Sequence, residues 1–282
     1  MRSNAYNSLQ PIKRSKLRLK LGKIYYTYAR YLLWLLPRFK FAKQYASFKL
    51  PYSCFTHKSI LLRQLRDVDM KYQYNKITNL KLAVNRLNHI VLYPGETFSY
   101  WKLIGKPTYQ KGYVDGMVLF CGSFGPGVGG GLCQLSNLIF WMTLHTPLTI
   151  VERYRHSYDV FPDANRTQPF GSGATCIYPY RDLMIRNDTS EIYQLCLKVG
   201  EKYLEGEWRS EKQPLYHYKI IEKNHFIKSE PWGGYSRHNE IYRQTFDRAG
   251  NRLEEVYVTE NHALMMYAPF ITCESEPKIE SL

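Results

Sequence analysis

The chain has 282 residues, of which 44% are hydrophobic and 22% charged, and this composition excludes disordered and collagen-like proteins. The formal charge is +15, but residues 1–50 hold 12 Lys or Arg side chains and no acidic one, which leaves 27 basic against 24 acidic side chains elsewhere. We therefore expect a basic, aromatic N-terminal segment over residues 1–50 and a single domain over residues 51–282.

The N-terminal segment contains an aromatic and aliphatic stretch over residues 24–36, which Pro37 ends. Arg30 interrupts the stretch, which is shorter than the ~20 apolar residues that span a bilayer, and no signal-peptide cleavage pattern follows it. The flanking basic residues favour a helix that lies on an anionic membrane surface. They predict a cytoplasmic protein, peripheral at the inner face of the plasma membrane. In the alternative, four leucines pack on the protein's own core: Leu32, Leu33, Leu35 and Leu36.

The cysteines are scattered and form no Cys-x-x-Cys pair: Cys54, Cys121, Cys133, Cys176, Cys196 and Cys273. This spacing predicts neither a zinc site nor a disulfide framework, and we expect no metal and no cofactor. Most of these thiols are expected to be buried as small hydrophobic side chains.

The first elements after the N-terminal segment are a helix and a hairpin. Asn79 precedes an apolar periodicity of three and four residues, so we expect it to cap a helix that packs on a sheet. Strands over residues 90–93 and 97–101 flank Pro94-Gly95, which predicts a type II turn and a β-hairpin. A buried strand is expected over residues 117–120.

A glycine-rich loop over residues 122–131 precedes a segment, 132–145, that is apolar nearly all round and therefore predicts a buried helix. A strand over residues 148–156 follows. Further strands are expected at 174–178, 182–187, 192–199 and on both sides of a turn at 246–252. Few helices and many short strands predict an α+β fold with a mixed or antiparallel sheet, a buried helix after a Gly-rich loop, and a strand-rich part over residues 200–282.

Chemistry is predicted where the loop meets the buried helix. Cys133 is expected in the first helical turn, where unpaired N–H groups and the helix dipole favour a thiolate. His156 lies 23 residues later, in the order of cysteine then histidine used by papain-like and transglutaminase-like enzymes, and it could act as the base. Asp159 or Asp163 could orient the imidazole. Gln134 or the loop N–H groups could form an oxyanion hole.

The competing interpretation is structural. In it the glycines make a tight turn, Cys133 is a core residue and His156 a surface residue, because one cysteine and one histidine at loose spacing are a weak signal. No Gly-Lys-Ser/Thr follows the glycines, so a phosphate-binding P-loop is excluded, and the spacing is not a dinucleotide fingerprint.

Several motifs give the chain a family resemblance: Lys81-Leu82-Ala83, Tyr93-Pro94-Gly95-Glu96-Thr97-Phe98-Ser99, Gly129-Gly130-Gly131-Leu132-Cys133-Gln134-Leu135-Ser136, Glu152-Arg153, His156-Ser157 and Gly173-Ala174-Thr175. Their order is similar to that of VanW-domain proteins over residues 75–200. The C-terminal third resembles the short, single-domain members that are encoded with glycopeptide-resistance genes.

The resemblance implies a role in cell-wall biology. Exported VanW-domain relatives have been assigned L,D-transpeptidase activity with a cysteine nucleophile, which would correspond here to Cys133. Many members carry Asp where this chain has Gly173. The residues expected to contact substrate are Gly129, Gly130, Gly131, Ser136, Ser157 and Arg166.

Two functions remain open at this stage. In the first, Cys133 attacks an amide carbonyl of a peptidoglycan peptide or precursor and His156 shuttles the proton. In the second, the protein is a non-catalytic accessory that binds wall precursor or a resistance-pathway partner through tyrosine-rich faces. The basic segment permits nucleic-acid binding, but no base-reading motif supports a specific nucleic acid as partner.

Overall fold

The computed structural model describes residues 14–63, 69–120, 123–160 and 168–269. It confirms an α+β protein. The helices are α1 (Lys16–Leu35), α2 (Met70–Leu87), α3 (Tyr100–Ile104) and α4 (Cys133–Leu144), with a short 3-10 turn at Tyr109–Lys111. The strands, in chain order, are β1 (Lys40–Phe41), β2 (Gln44–Tyr45), β3 (Tyr52–Ile60), β4 (Ile90–Leu92), β5 (Glu96–Ser99), β6 (Asp115–Phe120), β7 (Ser123–Val128), β8 (Thr149–Glu152), β9 (Tyr158–Asp159), β10 (Met184–Arg186), β11 (Tyr193–Val199), β12 (Tyr203–Ser210), β13 (His217–Ser229), β14 (Tyr235–Phe246) and β15 (Arg252–Met265).

The described strands form three sheets and one hairpin. The orders are β1-β5-β10-β8, β2-β4-β11-β12-β3 and β13-β14-β15-β9, and β6 pairs with β7. The β1–β5 and β9–β15 pairs are parallel, so two sheets are mixed, whereas the five-stranded sheet is antiparallel throughout. Both arrangements agree with the expected mixed or antiparallel sheet. The β13–β15 sheet is the strand-rich C-terminal part that the sequence predicted, with a tight turn between Phe246 and Arg252.

The core lies between the five-stranded sheet and helices α2 and α4. α2 packs against β11, and α4 packs against β12 and β3. Trp208 on β12 is fully buried, and its indole N–H donates to Thr143 Oγ1 on α4 at 3.0 Å. A Cβ atom on Gly206 would lie 2.6 Å from the Met142 side chain, so this glycine permits the close approach of helix and strand.

Helix α2 begins earlier than the sequence predicted. Asp69 is its cap, since its carboxylate accepts from the N–H of Lys71 at 2.8 Å. Asn79 is a fully buried residue inside the helix, so the expectation that it caps the helix was wrong. Its amide donates to the carbonyls of Val114 and Gly130, both at 3.0 Å, and thereby fastens the β6–β7 hairpin to α2.

The expected hairpin around Pro94-Gly95 does not form. The turn exists, with Gly95 at φ +77° and a hydrogen bond from Glu96 N to Tyr93 O, but β4 pairs with β2 and β11 whereas β5 pairs with β1 and β10. The turn therefore passes the chain from one sheet to another. Strand β5 ends at Ser99, where α3 begins.

The glycine-rich segment is mostly strand rather than loop. β7 covers residues 123–128 and pairs antiparallel with β6. Only 129–131 form the turn into α4, and their φ angles at Gly129 and Gly131 are +74° and +89°. The expected strand over 148–156 is also shorter, since β8 ends at Glu152. Residues 174–178 contribute an isolated bridge and no strand, whereas 184–186 and 193–199 are strands.

Helix α1 confirms the predicted helical N-terminal stretch but not the packing of its leucines on the core. Leu32, Leu35 and Leu36 are 57%, 82% and 46% exposed. The buried residue of this helix is Arg30, at 6% exposure. In the described part of the chain, no helix has the length and apolarity needed to cross a membrane.

Candidate functional site

Cys133 is the first residue of α4, as predicted, but its thiol is not activated. Sγ lies 3.8 Å from the carbonyl oxygen of Cys176, its hydrogen-bond acceptor. Loss of hydration raises the pKa of the Cys133 thiol, and the hydrogen bond to the Cys176 backbone carbonyl lowers it only in part. The direction is opposite to the depressed pKa that the sequence predicted for a thiol in the first turn of a helix.

An extended segment, residues 173–176, is fastened to the first turns of α4. The N–H of Ala174 donates to Asn137 Oδ1 at 2.7 Å, and its carbonyl accepts from Ser136 Oγ at 2.6 Å. Ser136, predicted to contact substrate, is fully buried, and its hydroxyl donates to this segment.

The opposite edge of the same segment is bonded to the chain that leads to His156. The N–H of Thr175 donates to the carbonyl of Tyr154 at 2.8 Å. The segment therefore lies between α4 and residues 153–156. Among the described residues no hydrogen bond joins Cys133 to His156, and the proposed pairing of the two stays a prediction.

His156 lies four residues beyond the end of β8 rather than on a strand. Burial, assisted by the nearby Arg181 guanidinium, lowers the pKa of His156 to about 4. The imidazole is therefore neutral at pH 7, which is the form that accepts a proton.

The residues expected to assist the pair are engaged elsewhere. The Asp159 carboxylate lies on β9, 3.6 Å from Arg237 Nη1, and accepts from the hydroxyl of Tyr267 at 2.8 Å. The Gln134 amide donates to Ser59 Oγ at 2.9 Å and to the carbonyl of Ile60 at 2.8 Å, so it ties α4 to β3. The structure thus gives both side chains a role in packing elements together.

Ser157 takes part in the same framework, because its carbonyl accepts from the N–H of Leu264 on β15 at 3.0 Å. Arg166 and Asp163 lie outside the described residues.

The three glycines before α4 are packed closely against other parts of the chain. A Cβ atom on Gly130 would lie 2.2 Å from the backbone of Gly116, and one on Gly131 would lie 2.2 Å from the side chain of Lys76. These approaches explain why side chains are missing here. The glycines stabilise the junction of α2, β6 and α4.

Arg153 belongs to the Glu152-Arg153 motif but was not among the predicted site residues. Its guanidinium donates to the carbonyl of Gly173 at 2.9 Å, to that of Gly171, and to Thr259 Oγ1 at 3.2 Å. It also stacks over the Phe140 ring at 4.7 Å. Burial lowers the pKa of Arg153 to about 10, so it remains charged at neutral pH and joins the 171–173 segment to the C-terminal sheet.

The neighbouring Glu152 belongs to a second buried cluster. It pairs with Arg30 of α1, which also donates to the carbonyl of Tyr180 at 2.9 Å. Asp182 is fully buried 4.0 Å from the same guanidinium, accepts from Ser99 Oγ at 2.5 Å, and has its pKa raised to about 7 by burial. Glu152 and Arg153 are therefore adjacent in sequence but belong to two separate buried clusters.

Gly173 is packed closely against the Asn137 side chain of α4. A Cβ atom at this position would lie 2.6 Å from Asn137 Oδ1. The Asn137 amide occupies the space and supplies the acceptor for the Ala174 N–H.

Comparison with known proteins defines the class of protein. Residues 75–209 match the family model described as VanW like protein, a region that contains Cys133, Arg153, His156 and Gly173. The chain therefore carries a VanW-like domain over just under half of its length.

Two curated relatives are similar to parts of the chain. The vancomycin B-type resistance protein VanW of Enterococcus faecalis (strain V583) is 41% identical over 171 residues, 61% of this chain and 62% of that protein. The uncharacterized protein YoaR of Bacillus subtilis (strain 168) is 37% identical over 82 residues, 29% of this chain and 27% of that protein. The match thus spans less than two thirds of either relative. No solved structure matches the chain.

Proposed function

We propose that this protein acts in vancomycin-type glycopeptide resistance as a non-catalytic accessory that binds peptidoglycan precursor. The process is that named for its E. faecalis relative. The observation that carries the non-catalytic part is the state of Cys133, a half-buried residue whose thiol lies at the Cys176 carbonyl and has its pKa raised. A protonated thiol is a poor nucleophile.

The groups around Cys133 support the same proposal. The polar side-chain atoms of Ser136, Asn137 and Gln134 all form hydrogen bonds to neighbouring segments. An oxyanion hole needs donors that point into open space before the substrate arrives. A rigid framework fits a protein that presents binding surfaces better than one that forms an acyl-enzyme.

A surface depression of about 370 Å³ offers a place for the peptide, between residues 51–54 and 213–217. Tyr52 and Tyr216 line it and are 42% and 45% exposed, and Arg248 lies at its rim. Two tyrosine rings and a guanidinium suit a short peptide that ends in a carboxylate.

Cysteine-dependent acyl transfer is the second candidate. The position of Cys133 in the first turn of α4 favours it, but the low pKa of His156, about 4, makes this imidazole a weak base for the thiol proton. In this reaction the Cys133 sulfur bonds to an amide carbonyl carbon, the C–N bond breaks, and the amine leaves with the proton held by His156. Segment 173–176 would first have to move aside.

Complementation separates the two candidates. The chain and its variants are expressed in an enterococcal host whose own vanW gene is deleted, and vancomycin susceptibility is measured beside protein abundance. We expect Cys133→Ala to match the unmodified chain, as should Cys196→Ala, a buried cysteine on β11. Loss of resistance by Cys133→Ala alone, at unchanged abundance, would establish the acyl-transfer candidate instead.

Binding is tested with purified full-length protein and a soluble peptidoglycan stem pentapeptide by calorimetry. We expect saturable binding that Tyr216→Ala and Arg248→Ala weaken at least about tenfold, the effect of losing one or two good contacts. Tyr109→Ala, which removes an exposed tyrosine elsewhere, is the control. Absence of binding by the unmodified chain would contradict the proposed function.

A further inference from the structure

Helix α1 exposes apolar side chains to solvent and buries a charged one against the domain. Six exposed apolar side chains of the helix recur every three or four residues and are between 46% and 82% exposed: Leu17, Leu21, Ile24, Tyr28, Leu32 and Leu35. Three- and four-residue spacing places them on one stripe of the helix. Leu19 and Tyr26, 48% and 57% exposed, lie outside this series. The charged Arg30 lies on the inward side and is 6% exposed. A helix that only needed to cover the core would bury the stripe and expose the arginine.

The inward side of α1 is fixed firmly to the domain. Arg30 Nη1 donates to Glu152 Oε2 at 2.9 Å and its other nitrogen to the Tyr180 carbonyl. Lys102 Nζ donates to the carbonyl of Trp34 at 2.9 Å, and the Trp34 ring lies 6.3 Å from that of Tyr178. These contacts hold the apolar stripe facing away from the protein.

The charges around the stripe indicate what covers it. Lys16, Arg18, Lys20 and Lys23 are exposed on the first two turns of α1. Residues 1–50 contain no acidic side chain that could neutralise them. If a second copy of this chain covered the stripe, two basic surfaces without carboxylates would face each other, which is unfavourable.

We propose that α1 docks flat on an anionic lipid surface, with its leucine stripe in the acyl boundary and its basic residues at the headgroups. Apolar residues on one face and Lys or Arg beside them are the features of interfacial helices. Tyr25 and Tyr28 add aromatic rings with polar tips, which favour the headgroup level. Because α1 is clamped to Glu152, the residue before Arg153, docking holds the VanW-like domain in one orientation beside the membrane. The inference stands apart from precursor binding.

The test is sedimentation of the full-length protein with vesicles of phosphatidylcholine alone or with phosphatidylglycerol. We expect binding to the anionic vesicles, release by about 0.5 M salt because screening weakens surface charge interactions, and at least tenfold weaker binding of Leu21→Glu/Leu32→Glu. The matched control is Ile227→Glu/Leu253→Glu, which adds the same charge at positions 42% and 54% exposed on the domain. Thermal unfolding of both variants verifies that each is folded.

Three results would overturn the proposal. One is equal binding to neutral and anionic vesicles, and another is equal loss of binding in the helix variant and the control variant. The third is an unmodified protein that binds no vesicles and sediments as a dimer in analytical ultracentrifugation, whereas Leu21→Glu/Leu32→Glu sediments as a monomer. That result would make the stripe an interface between two copies.

Discussion

Gly173 and Asn137 form a matched pair at the residue scale. A Cβ atom on Gly173 would lie 2.6 Å from Asn137 Oδ1, whereas Gly125 on β7 has no neighbouring atom within 4 Å of its Cβ position. We predict that Gly173→Ala lowers the free energy of unfolding by about 1–3 kcal/mol through overpacking. Gly125→Ala should change it by less than about 1 kcal/mol. Urea unfolding measures both.

A double variant tests whether Asn137 is the cause. Asn137→Ser shortens the side chain and replaces its amide with a hydroxyl, which can accept from the Ala174 N–H. Adding it to Gly173→Ala should recover part of the loss, so the two changes should not be additive. Strict additivity would show that the glycine is required for another reason.

Arg153 gives a second residue-scale prediction. Its planar fork binds carbonyls of the 171–173 segment and Thr259 at once, which a lysine cannot reproduce. We predict that Arg153→Lys costs about 2 kcal/mol or more of unfolding free energy. Arg186→Lys, at an exposed pair with Asp188, should cost less than about 1 kcal/mol. Similar losses in both would contradict the central role of Arg153.

Motif spacing identified candidate residues for a site but not the contacts that each of them makes. The sequence placed Cys133 correctly at the start of a helix. The direction of its pKa shift depends on the surroundings of the thiol, which include segment 173–176, distant in sequence. The partners of Gln134 and Asp159 lie on β3 and in the C-terminal sheet. Motif spacing contains no information about such contacts, so it could not show that these side chains were already engaged.

At the scale of elements, the sequence predicted helices where apolar residues dominate. It missed helical turns whose buried residues are polar. α2 buries Gln73, Lys76 and Asn79 besides its leucines, so the apolar periodicity vanishes over its first half. Strands β4 and β5 were located well, but their partners β11 and β10 lie about a hundred residues away. Local turn chemistry predicted a hairpin because it cannot report which distant strand competes for each edge.

The clamp of α1 can be tested as an element. Arg30→Met leaves Glu152 and the buried Asp182 without their cation, which for buried ion pairs costs about 3 kcal/mol. We expect faster amide hydrogen exchange throughout α1 and a lower unfolding midpoint. Lys16→Met, at an exposed position on the same helix, should alter neither. If α1 keeps its protection in Arg30→Met, Trp34 and its aromatic neighbours hold the helix instead.

For the whole molecule, buried ionisable groups determine how stability depends on pH. Burial lowers the pKa values of His145, His156 and His238 to about 4 and raises that of Asp182 to about 7. Between pH 6.5 and 4 the three histidines are protonated in the unfolded chain but stay neutral in the folded protein. The folded protein holds one proton on Asp182 that the unfolded chain releases. Three protons favour unfolding and one opposes it.

We therefore predict that the free energy of unfolding falls as the pH drops from about 6.5 towards 4, since each unmatched proton contributes a slope of about 1.4 kcal/mol per pH unit. His145 offers the cleanest test, because it stacks on Phe55 at 3.8 Å and lies outside the candidate site. Urea midpoints of His145→Gln at pH 7, 6 and 5 should fall less steeply than those of the unmodified protein, whatever its stability at pH 7. His217→Gln, at an exposed position on β13, should keep the original slope. Stability that rises on acidification would mean that Asp182, and not the histidines, dominates the acid response.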